Sequence, residues 1–188
     1  HGYHQQQGVL PAGTRPYNGT EPYPFMGWTC QILPWLEHNE LHQQALENYK
    51  VSNRFSDPAH AKTRVVVLPV FLCPNEKSKI VTYNGNLYAV TSYLGVGGDR
   101  WEDGVMFYDS KISFAGITDG LSNTLAVGER PPDPEGVVSW WYAGVGARID
   151  GSLDGWLVIQ HTNGGYGYPM CPKGPFPYQK GRREDKCD

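Results

Sequence analysis

Three carboxylates in a glycine-rich stretch are residues whose types and spacing could bind a metal ion. The stretch runs Gly97-Gly98-Asp99-Arg100-Trp101-Glu102-Asp103-Gly104. Calcium binds oxygen ligands on flexible turns, so Asp99, Glu102 and Asp103 form a candidate calcium site. Their spacing does not match the EF-hand loop. A solvated acidic turn explains the same residues without an ion and is the simpler interpretation.

A histidine at the first position suggests a second kind of metal chemistry. His1-Gly2 resembles the opening residues of secreted copper polysaccharide oxygenases, which bind copper through the terminal amine and the imidazole ring. Imidazole is a good copper ligand, and His161 is the candidate for the second histidine of such a site. The competing interpretation is that His1 is the first residue of a fragment, in which case its amine is not a natural terminus.

The remaining polar motifs favour structure over catalysis. His38 and His42 are four positions apart on a predicted helix and share a face, which we interpret as an exposed polar face. Asp119, Ser122 and Asn123 are turn and cap residues, and no Gly-x-Ser-x-Gly elbow surrounds Ser122. The segment from Ile117 onward predicts a tight turn that leads into a buried strand. Nothing in this segment supplies a nucleophile with a base beside it, so we interpret it as scaffold rather than as a catalytic site.

An aromatic run, Trp140-Trp141-Tyr142, allows two interpretations. Aromatic side chains on a sheet can form a surface that binds carbohydrate or a partner protein. In a glycine-rich fold the same rings often fill the core, and we favour this second interpretation.

Four cysteines in a chain rich in Trp, Tyr and Gly favour an oxidising compartment. Cys171 and Cys187 flank a loop rich in Pro, Gly and Lys that has little apolar content, so a disulfide between them would order a segment that packing alone does not. Cys30 and Cys73 are candidates for a second bridge. The alternative is that Cys30 is a small buried hydrophobic residue.

Size and charge restrict the class of protein. A chain of 188 residues is expected to form one domain. Its formal net charge of −3 and pI near 6.1 exclude the basic field that nucleic-acid binding requires. No apolar run approaches the roughly 18–20 residues that span a bilayer, so we expect any membrane attachment to lie upstream.

Apolar periodicity predicts the main elements. A helical remnant is expected at the start, followed by an irregular segment to residue 27. Three- and four-residue steps from Trp28 to Tyr49 predict two short helices, near 28–36 and 38–50, with a break at Pro34. The predicted strands are 65–68 with 70–72, 80–83, 88–94, 104–107, 124–127 and 137–142. The expected fold is α+β, with an irregular, mainly antiparallel sheet and short helices packed on one face.

Five segments resemble a bacterial family of pseudopilin-like secreted proteins, the domain of unknown function 1559. They are WTCQILPWLE from Trp28, VFLCP from Val70, Ser92 to Gly95, WWYAG from Trp140, and ITDGLSNTLAVGER from Ile117. Members of that family begin with a prepilin-type cleavage segment and a long helix, and they end with a His-to-Asp-Gly motif. The resemblance implies that residues 1–188 are a single pseudopilin-like domain lacking both ends. It also implies that Cys73 often has a partner in the upstream helix, and that a calcium loop on the sheet has precedent among pseudopilins.

The resulting functional prediction is a secreted or cell-surface structural or adhesive subunit without catalytic activity. Expected partners are copies of itself or related pilin-like subunits, with membrane contact only through the missing helix. The first alternative is a carbohydrate- or protein-binding module that uses Trp140, Trp141 and Tyr142. The second is a copper oxidoreductase built on His1. No cofactor is expected, apart from the candidate calcium ion.

Overall fold

A computed structural model describes residues 2–98, 104–129 and 140–143, and the backbone of residues 156–158. Its α-helices are α1 Gly2–Gln7, α2 Trp28–Gln31, α3 Asn39–Val51 and α4 Ala61–Arg64. Short 3-10 helices cover Leu33–Leu36, Pro58–His60, Pro69–Phe71 and Phe114–Gly116. The strands are β1 Ile80–Tyr83, β2 Asn86–Ala89, β3 Tyr93–Gly98, β4 Val127–Glu129 and β5 Trp156–Val158.

The two helices predicted from apolar periodicity are present. Pro34 lies at the start of the 3-10 turn that follows α2, where its missing N–H leaves no helical hydrogen bond unmade. Glu37 then adopts a left-handed conformation (φ 63°), which ends this turn before α3 begins. Ala45, Asn48 and Tyr49 form the buried face of α3. The predicted break and both helix positions are therefore confirmed.

A tight hairpin joins β1 to β2. The two turn residues, Asn84 and Gly85, both have positive φ values (46° and 77°), which is the backbone geometry that favours Asn-Gly in two-residue hairpins. The antiparallel register pairs Ile80 with Ala89 and Tyr83 with Asn86. The predicted strand at 80–83 is confirmed with its boundaries.

The second sheet has the order β4-β3-β5. Strand β3 pairs antiparallel with β4 and parallel with β5. The single strand predicted at 88–94 is divided between β2 and β3, because Thr91 and Ser92 bond instead to the Phe71 carbonyl oxygen. The strand predicted at 124–127 begins only at Val127, and β4 is half-buried rather than buried.

Two other strand predictions are wrong. Residues 65–72 form turns and a 3-10 helix, since Pro69 cannot donate to a ladder and its ring favours the start of a helical turn. Residues 104–107 bend because the N–H groups of Val105 and Met106 both bond to the Val96 carbonyl oxygen. The overall class is α+β, as predicted.

The main core lies between α2, α3, the turn at Pro69 and residues 141–143. Its fully buried members include Leu33, Ala45 and Ala89, all 0 % exposed. Residues 141–143 meet helices that precede them by about a hundred positions, so the core joins distant parts of the chain.

Candidate functional site

The aromatic run is part of the core, which is the interpretation favoured from the sequence, and the alternative of an exposed binding surface does not hold. Trp140 is 2 % exposed, and Trp141 and Tyr142 are 0 % exposed. Trp140 stacks on Tyr88 with ring centroids 4.0 Å apart, while Trp141 and Tyr142 enter the main core. Large aromatic rings gain most by leaving water when their polar atoms also find partners. Trp141 Nε1 donates to the Val66 carbonyl oxygen at 2.8 Å, so burial leaves this group paired.

The Tyr142 hydroxyl is part of a buried hydrogen-bond network with His60. His60 Nε2 lies 2.9 Å from the Ser52 carbonyl oxygen, which only accepts, so Nε2 carries the proton. Nδ1 then accepts from the Tyr142 hydroxyl at 2.6 Å. Burial lowers the pKa of His60, against an opposing effect of the Ser52 bond, and burial raises the pKa of Tyr142. The two hydrogen bonds hold His60 as a neutral imidazole in the Nε2–H tautomer. We interpret its role as structural.

The predicted bridge between Cys30 and Cys73 is not formed, and both residues are free thiols. Cys30 is 0 % exposed in the main core, where burial raises its pKa. Cys73 is half-buried, and a hydrogen bond with Glu129 raises its pKa. The alternative interpretation of Cys30 as a small buried hydrophobic residue fits its surroundings.

The other predicted site residues lie outside the described part of the chain: His1, Asp99, Glu102, Asp103, His161, Cys171 and Cys187. The base of the acidic loop is described, and it is closed by the Gly104 N–H donating to the Gly97 carbonyl oxygen at 2.8 Å. Within residues 2–98, 104–129 and 140–143, no group of three His, Cys, Asp or Glu side chains is arranged to hold a metal ion. The calcium, copper and Cys171–Cys187 predictions remain predictions.

The segment after Ile117 forms the predicted turn. Gly120 has a φ of 88°, which glycine adopts without strain. The side chain of Asn123 donates to the Asp119 carbonyl oxygen at 2.9 Å, and the Thr124 hydroxyl donates to the Gly120 carbonyl oxygen at 3.1 Å. Ser122 is exposed within the turn. These contacts explain the pattern of residue types as turn chemistry.

Helix α1 is attached to the body of the domain by three consecutive residues. Gly2 lies so close to Trp35 that a Cβ atom would approach its Cδ1 to 2.4 Å. The Tyr3 ring packs edge-on against Trp35 at 5.0 Å, and the His4 ring stacks on Phe114 at 3.8 Å with an interplanar angle of 8°. His4 Nε2 also accepts from the Phe114 N–H at 3.1 Å. The helix is thereby fixed on the domain at its first turn.

A polar cluster combines residues of α1, the irregular segment before α2, α2 itself and α3. We call it the Arg15 cluster; its members are Tyr3, Arg15, Glu21, Gln31 and His42. Arg15 Nη1 is 3.7 Å from Glu21 Oε2, and the Tyr3 hydroxyl is 3.3 Å from Gln31 Oε1. Burial lowers the pKa of His42, and the positive charge of Arg15 lowers it further.

The Arg15 cluster differs from what the sequence predicted for this helix. His42 is half-buried, so the prediction of an exposed polar face does not hold for it. Arg15 and Glu21 were not singled out by the sequence. Both residues lie in the irregular segment before α2, where no periodic pattern predicts which side chains pair.

A family model described as "Protein of unknown function (DUF1559)" matches residues 1–164. The chain belongs to this family. No curated protein and no solved structure matches it. The predicted family is thus confirmed, whereas the pseudopilin-like details of the prediction have no support from a structural match.

The DUF1559 assignment carries no activity with it, so any function must be argued from the residues. None of the helices in the described ranges combines the length and the apolar character that a membrane-spanning segment needs. The features on which a proposal can rest are the attachment of α1, the buried aromatic and histidine network, and the Arg15 cluster.

Proposed function

We propose that this DUF1559 chain is the globular part of a secreted or cell-surface pseudopilin-like subunit with a structural or adhesive role and no catalytic activity. Its partners would be copies of itself or related pilin-like subunits. The observation that supports this most directly is the docking of α1 through Gly2, Tyr3 and His4.

A helix of six residues is not stable in water by itself, so its contacts with Trp35 and Phe114 must hold it in place. The outer residues Gln5, Gln6 and Gln7 are exposed. A helix anchored in this way can position a longer upstream helix relative to the domain, which is the arrangement that assembly through such a helix requires.

The contacts of two described histidines also support a structural role. His60 is closed inside the core by Tyr142 and Ser52, and His4 is occupied by Phe114. A general base must reach the proton it removes, and both ring nitrogens of His60 are engaged inside the core. The aromatic run likewise contributes to packing, which removes the exposed ring row that carbohydrate binding would use.

The test is the intact mass of the protein isolated from its native source, before and after reduction. We expect a mass that exceeds the mass of residues 1–188 by the mass of an apolar N-terminal segment. With Cys30 and Cys73 free, one bridge between Cys171 and Cys187 predicts a gain of about two daltons on reduction.

A mature protein that begins at His1 would overturn the proposal, because assembly would lack its helix. The copper site of His1 and His161 would then be examined by titration with Cu(II), followed by electron paramagnetic resonance. A bound Cu(II) signal would favour the oxidoreductase, and its absence would exclude it.

A further inference from the structure

Two Asn-Gly pairs in the described part of the chain share the sequence Tyr-Asn-Gly but lie in different surroundings. Asn18-Gly19 belongs to the irregular segment before α2, and Asn84-Gly85 forms the tip of the β1–β2 hairpin. An Asn-Gly pair carries its own reaction. The backbone nitrogen after the asparagine can attack the side-chain amide carbon, and glycine has no side chain that blocks the approach. The surroundings of each pair therefore decide whether it reacts.

The amide of Asn18 is held in place. Its Oδ1 accepts from the Thr20 N–H at 3.0 Å, from the Thr20 hydroxyl at 3.0 Å and from the Glu21 N–H at 2.9 Å. Two of these groups are backbone donors, so the atom that faces them must be the amide oxygen rather than the nitrogen. The three hydrogen bonds resist the side-chain rotation that attack by the Gly19 nitrogen requires.

The amide of Asn84 is not held in this way. Asn84 and Gly85 are both exposed. Neither the Asn84 side chain nor the Gly85 N–H has a hydrogen-bond partner among the described residues. A Cβ atom built on Gly85 would meet no other atom within 4 Å, so the space around this residue is open. The nucleophile and its target are adjacent in the chain, and no described contact holds them apart.

We propose that Asn84 is a site of spontaneous deamidation. Hydroxide removes the Gly85 N–H proton, and the nitrogen forms a bond to the Asn84 Cγ. The Cγ–Nδ2 bond then breaks as Nδ2 takes a proton from water and leaves as ammonia. Water opens the resulting succinimide ring at either carbonyl carbon, which gives aspartate or isoaspartate. Water is the only co-reactant, and the inference is independent of the proposed assembly role.

Isoaspartate at position 84 loosens the hairpin. Its backbone runs through the former side-chain carbonyl and is one methylene longer, whereas the pairing of Tyr83 with Asn86 fits a turn of two ordinary residues. Asn86 accepts a hydrogen bond from the buried Arg64, and the Tyr83 ring lies 5.3 Å from the Trp140 ring. Both contacts adjoin the turn, so the modification weakens the attachment of the hairpin to the core.

The test is storage of the whole chain in mildly alkaline buffer, folded and in urea, followed by peptide mass mapping. Each Asn-Gly peptide is scored for the mass gained when an amide becomes a carboxyl group, and isoaspartate is separated from aspartate by chromatography. In urea the two pairs should react at similar rates. In the folded protein Asn84 should react about tenfold or more faster than Asn18, which must give up its hydrogen bonds.

An Asn84→Gly variant tests the consequence for stability. Glycine removes the amide and tolerates the positive φ of 46° at this position, so the hairpin should form as before. The melting temperature of the stored wild-type protein should fall as isoaspartate accumulates at position 84. The melting temperature of stored Asn84→Gly should stay constant.

An unmodified Asn84 in the folded protein, over a period in which the chain in urea is converted, would overturn the proposal. Equal rates at Asn18 and Asn84 in the folded protein would show that the hydrogen bonds do not select the site. If stored Asn84→Gly loses as much stability as the wild-type protein, another residue causes the loss and the effect on the hairpin is refuted.

Discussion

The Tyr142 hydroxyl donates a hydrogen bond of 2.6 Å to His60 Nδ1, although the two residues are 82 positions apart. Both side chains are buried, and the Tyr49 ring lies next to each of them. This bond joins the 3-10 turn at Pro58–His60 to the aromatic run, so it connects two segments that are distant in the sequence.

Replacing Tyr142 with Phe leaves His60 Nδ1 buried without a donor. The expected loss in the free energy of unfolding is about 1–3 kcal/mol, the cost of an unsatisfied buried group. Urea unfolding of both proteins measures it. Tyr17→Phe, at a ring that is 54 % exposed, is the control. Equal stability of the two variants would show that the bond contributes nothing.

The stability of the domain should fall as the solution becomes acidic. The folded-state pKa values of His60 and His42 are lowered, chiefly by burial. The unfolded chain therefore binds more protons once the pH drops below about 6.5, and the free energy of unfolding decreases until the pH passes the folded-state values. Urea midpoints between pH 7.5 and pH 5 test this. His60→Gln should flatten the slope, and an unchanged slope would contradict the assignment.

Arg64 fastens the hairpin to α4. It is 3 % exposed and donates to the carbonyl oxygens of Phe55, Asp57 and Leu87 at 2.9–3.2 Å and to the Asn86 side chain, and it lies over the Tyr88 ring. Arg64→Lys keeps the charge but loses most of these donors, so we expect a loss of about 3 kcal/mol in unfolding free energy. Lys62→Arg, at an exposed position of the same helix, should be neutral in the same denaturation experiment. A neutral Arg64→Lys would contradict this role.

Gly13 is required by close backbone contact. A Cβ atom there would lie 2.6 Å from the Met106 carbonyl oxygen, whereas at Gly116 the nearest contact is the Ser113 hydroxyl at 3.7 Å. Gly13→Ala should destabilise the domain by about 1–3 kcal/mol, and Gly116→Ala should change it little. Thermal melting compares them, and similar melting temperatures would refute the contact.

The two described thiols should differ in reactivity. Iodoacetamide should modify half-buried Cys73 in the native protein and leave Cys30, which is 0 % exposed, unmodified. Because Glu129 raises the pKa of Cys73, Glu129→Gln should speed its alkylation at pH 7.5. Peptide mass mapping assigns each site. Native alkylation of both cysteines at similar rates would show that the core around Cys30 opens readily.

Local signals predicted the helices and the strand at 80–83 well. The apolar periodicity from Trp28 to Tyr49 acts within a few residues, so the sequence contains its cause. The hairpin at Asn84-Gly85 was not predicted, although Asn-Gly is a recognised signal for a two-residue turn. The prediction of a strand at 65–72 was wrong, because a run of β-branched residues does not indicate which groups will form hydrogen bonds with its carbonyl oxygens. The hydrogen bond from Trp141 to Val66 is formed by residues 75 positions apart.

The site predictions were limited in the same way. The exposure of the aromatic run depended on what packs against it, and periodicity does not report that. The Arg15 cluster combines residues of α1, an irregular segment, α2 and α3, so its members carry no common motif. The resemblance predicted the family correctly, because it depends on the residues of whole segments rather than on the environment of single side chains.

The late position of the aromatic run also governs how the protein is made. Leu33 and Ala45 are fully buried beside Trp141 and Tyr142. A ribosome delivers the helices first, and their apolar faces stay uncovered until about a hundred further residues have been synthesised, at roughly 5–20 residues per second. For those seconds the nascent chain carries an open core, so its folding yield depends on what shields that surface during translation.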